Sequence, residues 1–276
     1  MKRNTAMTRI KELKEFLRPA LNRGVALAFS GGVDSSLLLS VLKELRDESP
    51  CPLAALTMHT VFQRDEELAE VRRTASECGV EPTVFHCDPL AIPEIRSNPP
   101  DRCYRCKRHI FSKFLNFMRN QGLGVLMDGT NADDLHVYRP GRKALRELGV
   151  ISPLAELGFT KAEIRALAAE RGLKCSTRPS LPCLATRFEY GTLLTPDLLE
   201  RTGKGEGLIR QLVPPDADVR LRVHGTVARI EVPPEVMERL LQRRRELSAG
   251  LRRLGFEFIT LDLEGFRSGC YDKKEE

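Results

Sequence analysis

Val25-Ala26-Leu27-Ala28-Phe29-Ser30-Gly31-Gly32-Val33-Asp34-Ser35-Ser36 decides the fold, because an apolar run ends and a helical pattern begins inside it. The first five residues read as a buried parallel strand, and Leu37, Leu38, Leu39, Val41, Leu42 and Leu45 then recur as one face of a helix does. Strand, tight turn and helix N-terminus follow one another directly. Two adjacent glycines permit backbone angles that a side chain forbids, so successive N–H groups converge on an anion at the positive end of the helix. The ligand this predicts is a phosphate.

Outward from that turn the chain alternates. Thr8 to Leu21 reads as a first helix with Ile10, Leu13, Phe16 and Leu17 on one face. Leu53 to Met58 reads as a second buried strand, Glu66 to Cys78 as a charged helix stopped by Gly79, and Thr83 to His86 as a third strand. His109 to Arg119 carries Ile110, Phe111, Phe114, Leu115 and Met118 at helical spacing, and Val125 to Asp128 supplies a fourth strand. The order βαβα predicts an α/β fold with an open parallel sheet.

Ligands of such sheets bind beyond the carboxyl ends of the strands, at the switch in strand order. Three segments are thereby gathered: the phosphate turn, Thr57-Met58-His59, and Asp128-Gly129-Thr130-Asn131. Thr57 and Met58 are expected to meet adenine and ribose. Asp128 and Asn131 orient phosphate or Mg²⁺ on one reading, and are ordinary turn residues on the other. A capping box at Thr160-Lys161-Ala162-Glu163 opens a further helix, and Ser176 to Cys183, with two prolines and no periodicity, reads as a long loop.

Beyond this loop the pattern changes. Asp197 to Leu212 reads as a helix, Val219 to Val223 and Val227 to Val232 as strands, Glu235 to Leu254 as one long Arg-rich helix and Phe256 to Leu263 as a last strand. This predicts a smaller C-terminal α+β domain, 193–276, after a nucleotide-binding domain, 1–192. The tail Asp272 to Glu276 is expected to fray.

The 276 residues suffice for more than one core, and the formal net charge of +6 admits a nucleotide, a nucleic acid or merely a soluble surface. No apolar run approaches a membrane span and the start lacks the apolar segment of a signal peptide, so a cytoplasmic protein with no membrane partner is expected. Eight cysteines without a secretion signal point to thiol chemistry rather than a disulfide framework.

The Walker pattern is absent and no lysine follows the glycines. Ser30 to Ser36 resembles instead the SGGxDS signature of the PP-loop ATP pyrophosphatases, whose sheet is adenine nucleotide α-hydrolase-like and which transfer AMP to an oxygen of the substrate. That resemblance implies ATP bound by Ser30, Gly31, Gly32, Val33, Asp34, Ser35, Ser36, Thr57, Met58, Gly129 and Asn131, with Mg²⁺, and a catalytic role for Asp34. A tight turn capped by serines is the plain alternative.

Cys103-Tyr104-Arg105-Cys106 puts two thiols within reach of one metal, and the pair alone admits zinc, a redox dithiol or an iron–sulfur cluster. No second paired motif follows to complete a zinc site. Adding Cys183 gives three thiols, which leave one iron of a 4Fe–4S cluster open to a sulfide or a substrate. Cys51, Cys78, Cys87, Cys175 and Cys270 are scattered and read as packing thiols.

Several motifs in order resemble the LarE family of ATP-dependent sulfurtransferases over nearly the whole chain: Ser30–Ser36, Asn98–Lys107, Asp128–Asp134 and Pro179–Arg187. The resemblance implies adenylation of the carboxylates of pyridinium-3,5-dicarboxylate mononucleotide, then displacement of AMP by sulfur to leave thiocarboxylates, precursors of the nickel-pincer nucleotide cofactor. Cys183 is the implied sulfur-handling residue, either losing its own sulfur or, with Cys103 and Cys106 as metal ligands, holding a cluster that carries a sulfide. The second route is expected here. Arg220 and Arg222, alternating on one strand and hence on one face, match positions that bind the substrate phosphate, and Arg187 and Glu206 lie near further matching positions. A solvated strand face is the plain alternative. The resemblance also implies a homo-oligomer, a sulfur-donor partner and a downstream nickel-insertion protein.

Three other readings compete. A tRNA thiolase also joins a PP-loop to three cysteines and a 4Fe–4S cluster, but no RNA-binding module or interleaved aromatic and basic residues are visible, so nucleic acid is not an expected partner. An amidating PP-loop ligase gives the three cysteines no role. A non-catalytic nucleotide sensor is the third.

Overall fold

In the computed structural model, residues 2–137, 139–179, 181–267 and 271 are described; Ser180, Cys270 and the tail Asp272 to Glu276 lie outside them. In chain order the elements are α1 (Lys2–Leu21), β1 (Val25–Ala28), α2 (Val33–Glu48), β2 (Leu53–His59), α3 (Asp65–Glu77), β3 (Pro82–His86), α4 (Pro93–Arg96), α5 (Arg102–Gln121), β4 (Val125–Met127), α6 (Gly141–Glu147), α7 (Pro153–Glu156) and α8 (Lys161–Glu170). Then come α9 (Pro196–Arg210), β5 (Arg220–His224), β6 (Val227–Glu231), α10 (Pro234–Gln242), α11 (Arg244–Arg253) and β7 (Phe258–Leu261).

The chain forms two compact units. The first comprises residues 1–59, 65–87 and 103–178, and the second residues 60–64, 88–102 and 179–276. Residues 179–192, grouped with the nucleotide-binding domain on sequence, cluster with the second unit, as do two short excursions from the N-terminal half.

The first unit is a parallel four-stranded sheet in the order β3-β2-β1-β4. Successive strand residues point to opposite faces. Val25 and Leu27 accordingly join the core built with α1, α2 and α8 (Leu13, Leu17, Leu38, Leu42, Ile164, Leu167), while Ala26 joins Phe111, Phe114 and Met118 of α5 on the other face. Burial on both faces explains why these strands read as continuous apolar runs rather than alternating ones. The capping box at Thr160 forms as the sequence predicts, with the Glu163 N–H donated to Thr160 Oγ1 and the Thr160 N–H to Glu163.

The second unit holds a three-stranded sheet in the order β5-β6-β7, antiparallel between β5 and β6 and parallel between β6 and β7. Gly225 turns the β5–β6 hairpin, and the helices between β6 and β7 form the crossover a parallel pair requires.

The first helix begins at Lys2 rather than Thr8, the last strand is shorter than expected, and two further differences change how motifs are placed. The helix expected from His109 already starts at Arg102, so Cys103 and Cys106 sit in its opening turns. The long helix expected over Glu235–Leu254 is two helices broken at Arg243 (φ −98°, ψ 14°). There Arg243, in a run of three like charges, turns its guanidinium forward onto Glu246 in the first turn of α11, where an acid suits the helix dipole. Among the described residues no helix is long and apolar enough to cross a membrane.

Candidate active site

The site of the first unit is built at the head of α2. Gly31 has φ +71°, and a Cβ there would stand 3.1 Å from the Val71 backbone, so both the turn and the approach of α3 require glycine. Gly32 follows in an extended conformation (φ −74°, ψ 162°) and, among the described residues, no side chain caps the helix. The first-turn N–H groups of an α-helix lack partners within it, so the positive end of α2 is presented bare to an anion. The serines shape this nest. The Ser35 hydroxyl accepts from the Ser30 N–H (3.3 Å) and donates to the Gly32 carbonyl (3.1 Å), to which Ser36 Oγ also donates (2.8 Å).

With β1 between β2 and β4, the switch in strand order lies between the turns that follow β1 and β4. The second of these packs onto the first. A Cβ on Gly129 would lie 3.0 Å from the Ser35 amide nitrogen and 3.3 Å from Asp34 Cβ. Asn131 donates from Nδ2 to Asp34 Oδ1 (3.1 Å), and the Asn131 side chain is itself fixed by accepting the Asp134 N–H (3.2 Å). Asp128 does something different: it accepts from the Thr130 hydroxyl (2.6 Å) and the Ser152 hydroxyl (2.6 Å). Of the two sequence readings, Asp128 shows turn chemistry and Asn131 reaches the phosphate loop.

Lys161 was not legible as a site residue. Its Nζ stands 2.5 Å from Asp34 Oδ2, so Asp34 is held by one cation and one amide. The sequence signal was only the cap: Thr160 as N-cap makes Lys161 the first residue of α8, and its N–H is anchored by Asp133 Oδ2 at 2.8 Å.

Thr57 and Met58 are both buried. The Thr57 hydroxyl donates to the Phe29 carbonyl at 2.8 Å and thereby ties β2 to the strand end that feeds the phosphate turn. The proton of that hydroxyl is thereby used inside the fold, while its oxygen can still accept.

The cysteines divide sharply. Cys78 and Cys175 are buried behind α2, where desolvation pushes the Cys78 thiol up to about 11 and the Cys175 thiol up as well, as expected for inert packing residues. Cys103 and Cys106 are half-buried, three residues apart on α5 and so on one side of it. Cys183, also half-buried, precedes a short 3₁₀ turn, Leu184–Arg187, in the second unit. Among the described residues no group of three or more His, Cys, Asp or Glu side chains is gathered as a metal ion requires. Two thiols on one helix face supply half of a tetrahedral donor set.

In the second unit Arg187 and Glu206 are brought together, and both are fully buried. Glu206 accepts from Arg187 Nε (2.5 Å) and terminal nitrogen (3.1 Å), from Arg64 (2.9 Å) and from the Leu221 N–H (3.0 Å). Burial works to raise the Glu206 carboxyl, but Arg187, then the Leu221 N–H and Arg64, outweigh it and hold the group below its usual range. Four donors fill the four acceptor positions of a carboxylate. Glu206 thus organises Arg187, Arg64 and β5, with its acceptor positions met within the second unit.

Arg220 and Arg222 share one face of β5, and both are 4% exposed rather than solvated. Arg222 donates to Glu231 (3.0 Å) and to the carbonyls of Thr186 (2.6 Å) and Arg267 (3.2 Å), and Glu231 also receives Arg229 (3.1 Å). Arg220 lies over the Phe266 ring (4.7 Å), and burial together with Arg187 pushes its guanidinium down to about 10. Glu206 and Glu231 each serve two arginines, while Asp218 stands 3.6 Å from Arg220 and Asp262 3.5 Å from Arg229. Buried guanidiniums gathered in this way suit an anion.

A bare helix N-terminus after the first strand of a parallel sheet, with an acid in its first turn, fits an enzyme of the PP-loop ATP-utilising class. Residues 5–136 match the family model described as a PP-loop domain. The chain is 36% identical over 247 residues to the pyridinium-3,5-bisthiocarboxylic acid mononucleotide synthase of Lactiplantibacillus plantarum, covering 89% of this chain and 87% of that protein. It is 34% identical to an uncharacterized protein of Synechocystis, covering 95% and 96%. A tRNA-specific 2-thiouridylase of Roseiflexus castenholzii is 28% identical, covering 62% of this chain and 60% of that protein. This chain belongs to the LarE family of ATP-dependent sulfurtransferases.

Proposed function

We propose that this protein adenylates the carboxylates of pyridinium-3,5-dicarboxylate mononucleotide with ATP and converts them to thiocarboxylates for the nickel-pincer nucleotide cofactor. The observation that carries this reading is the 36% identity, over 89% of the chain, to a relative named for the thiocarboxylated product. A tRNA-thiolase reading has weaker support, since that relative matches 62% of the chain.

The chemistry follows from the residues. A carboxylate resists nucleophiles because its own charge repels them, whereas an acyl-adenylate presents a carbonyl carbon with a good leaving group. The bare N–H groups of α2 bind phosphate oxygens, and Lys161 supplies positive charge at the same turn as pyrophosphate departs. Asp34 is the carboxylate placed to take the Mg²⁺ that accompanies ATP, with Asn131 fixing its orientation. The buried arginines of β5 suit a substrate that carries a phosphate and two carboxylates.

Cys103, Cys106 and Cys183 are read as ligands of a 4Fe–4S cluster. When bound, such a cluster with one open iron supplies a sulfide for transfer. Two thiols on one face of α5, half of a tetrahedral donor set, support the α5 part of this reading. Homo-oligomerisation, a sulfur donor, a nickel-insertion partner and a cytoplasmic site of action belong to the same proposal.

The test is Cys183→Ala, assayed with ATP, Mg²⁺ and the dicarboxylate mononucleotide. Pyrophosphate release should persist while thiocarboxylate formation, read by mass spectrometry, is lost. Absence of pyrophosphate release in the wild type would refute adenylation. Iron and acid-labile sulfide in anaerobically purified wild type, lost in Cys103→Ala and Cys106→Ala, should accompany this; a wild-type Cys183 that loses the mass of hydrogen sulfide on turnover would refute the cluster route.

A further inference from the structure

Arg222 lies over the aromatic ring that ends a hydrogen-bonded chain, and no part of the proposed chemistry uses that chain. Asn98 is fully buried in a left-handed backbone conformation (φ 52°) and donates from Nδ2 to the Glu189 carbonyl at 2.7 Å. The bridge between Phe188 and Val223 sets Glu189 beside His224. Glu189 Oε1 lies 2.9 Å from His224 Nδ1, and His224 Nε2 lies 3.2 Å from the Tyr271 hydroxyl. The Tyr271 ring then faces the Arg222 guanidinium at 5.3 Å. Because a carboxylate only accepts, the partners assign the proton on Nδ1 to Glu189. A neutral ring then accepts the Tyr271 hydroxyl at Nε2, and a charged ring donates to its oxygen, so the chain survives either state.

We infer that Glu189, His224 and Tyr271 are positioning residues that aim Arg222 at an anionic group of the substrate. Five N–H groups belong to a guanidinium. Among the described residues three of those on Arg222 are donated, one from each nitrogen, to Glu231, Thr186 and Arg267. The two left over sit one on each terminal nitrogen, open to a carboxylate or phosphate. Three acceptors fix the plane of the group and the tyrosine face blocks one side of it. An arginine so held has lost its rotamer entropy before the ligand arrives.

The inference rests on Arg222 being a substrate ligand, and the experiment separates the two. Initial rates of pyrophosphate release are measured against the mononucleotide at saturating ATP and Mg²⁺, for Tyr271→Phe, His224→Phe, the double variant, Tyr271→Ala and Arg222→Gln. Tyr271→Ala should raise KM for the mononucleotide about tenfold, while kcat and the KM for ATP stay within about twofold. Tyr271→Phe keeps the ring and should produce a smaller rise. His224→Phe should raise KM in the wild type and add nothing in Tyr271→Phe, because one chain is cut in either case. Raised KM in Arg222→Gln with unchanged KM in Tyr271→Phe and His224→Phe, or with independent effects of the two, overturns the inference alone. Unchanged KM in Arg222→Gln overturns the substrate role of Arg222 and the inference with it. The gentle Tyr271→Phe and His224→Phe variants decide the matter even where Tyr271→Ala fails to fold.

Discussion

Replacing Glu206 by Gln removes one negative charge from a place where nothing else can supply it. The carboxylate accepts two bonds from Arg187, one from Arg64 and one from the Leu221 N–H, all between 2.5 and 3.1 Å, and both the carboxylate and Arg187 are fully buried. A glutamine of the same shape keeps one acceptor oxygen and turns an amide NH₂ toward donors. Arg187 is then left buried without its carboxylate, and Arg64 loses the same partner. Removing one partner of a buried ion pair costs about 3–5 kcal/mol, against a total stability of about 5–15 kcal/mol for a typical domain. For a unit of this size that corresponds to a fall in Tm of about 10–20 °C, read by differential scanning calorimetry or circular dichroism. An exposed pair would shift Tm by at most a few degrees. The pH dependence has a definite sign. The folded-state carboxyl is held below the ordinary value of 4.5, so the stability it confers is present above that value and lost as pH falls through the depressed one. The deficit of Glu206→Gln should therefore be constant from neutrality down to about pH 4.5 and narrow below it. Pairing it with Arg187→Met should cost less than the sum of the two single changes, because an apolar replacement removes the stranded cation as well. A Tm within about 2 °C of wild type at neutral pH would refute the reading of Glu206 as the hub of this core.

The phosphate turn yields two further expectations. Lys161→Met leaves Asp34 with Asn131 alone and should lower kcat for pyrophosphate release about 10²–10³-fold at nearly unchanged Tm, since the ion pair is partly exposed; activity within a factor of about three would remove Lys161 from the site. Gly31→Ala forces a side chain into φ +71° and against Val71, costing about 1–2 kcal/mol in strain and closing the nest. The KM for ATP should rise, and unchanged ATP affinity by calorimetric titration would show that the nest does not bind phosphate.

Most of the fold was legible because the signals were local. Val25–Phe29 is apolar throughout because the strand is covered on both faces, and Thr160 with Glu163 announces a helix start through bonds made within four residues. The misreadings had the same origin in reverse. The periodicity of Glu235–Leu254 persists across a break at Arg243, because a kinked pair of helices presents nearly the same apolar stripe as a single one. Arg102 to Arg108 is too polar and basic to show a helical face, although α5 runs through it.

The site was legible in the same proportion. Ser30–Ser36 is a contiguous motif whose geometry is set by its own glycines, whereas Lys161 meets Asp34 across 127 residues of sequence and has no local mark. For the arginines the difficulty is charge bookkeeping in space. A net charge of +6 over the chain says nothing of where the cations gather. Arg187 and Glu206 look alike as candidate ligands in sequence, yet each is the other's partner, and Arg64 joins them from far upstream. What distinguishes β5 is that its arginines are buried while the carboxylates beside them are shared: Glu231 between Arg222 and Arg229, Glu206 between Arg187 and Arg64. A solvated strand face would keep its guanidiniums in water and show no depression of Arg220 to about 10. Burying guanidiniums is unfavourable unless anions accompany them, and here Glu206, Glu231, Asp218 and Asp262 all do, a pairing in space that the net charge of the chain conceals.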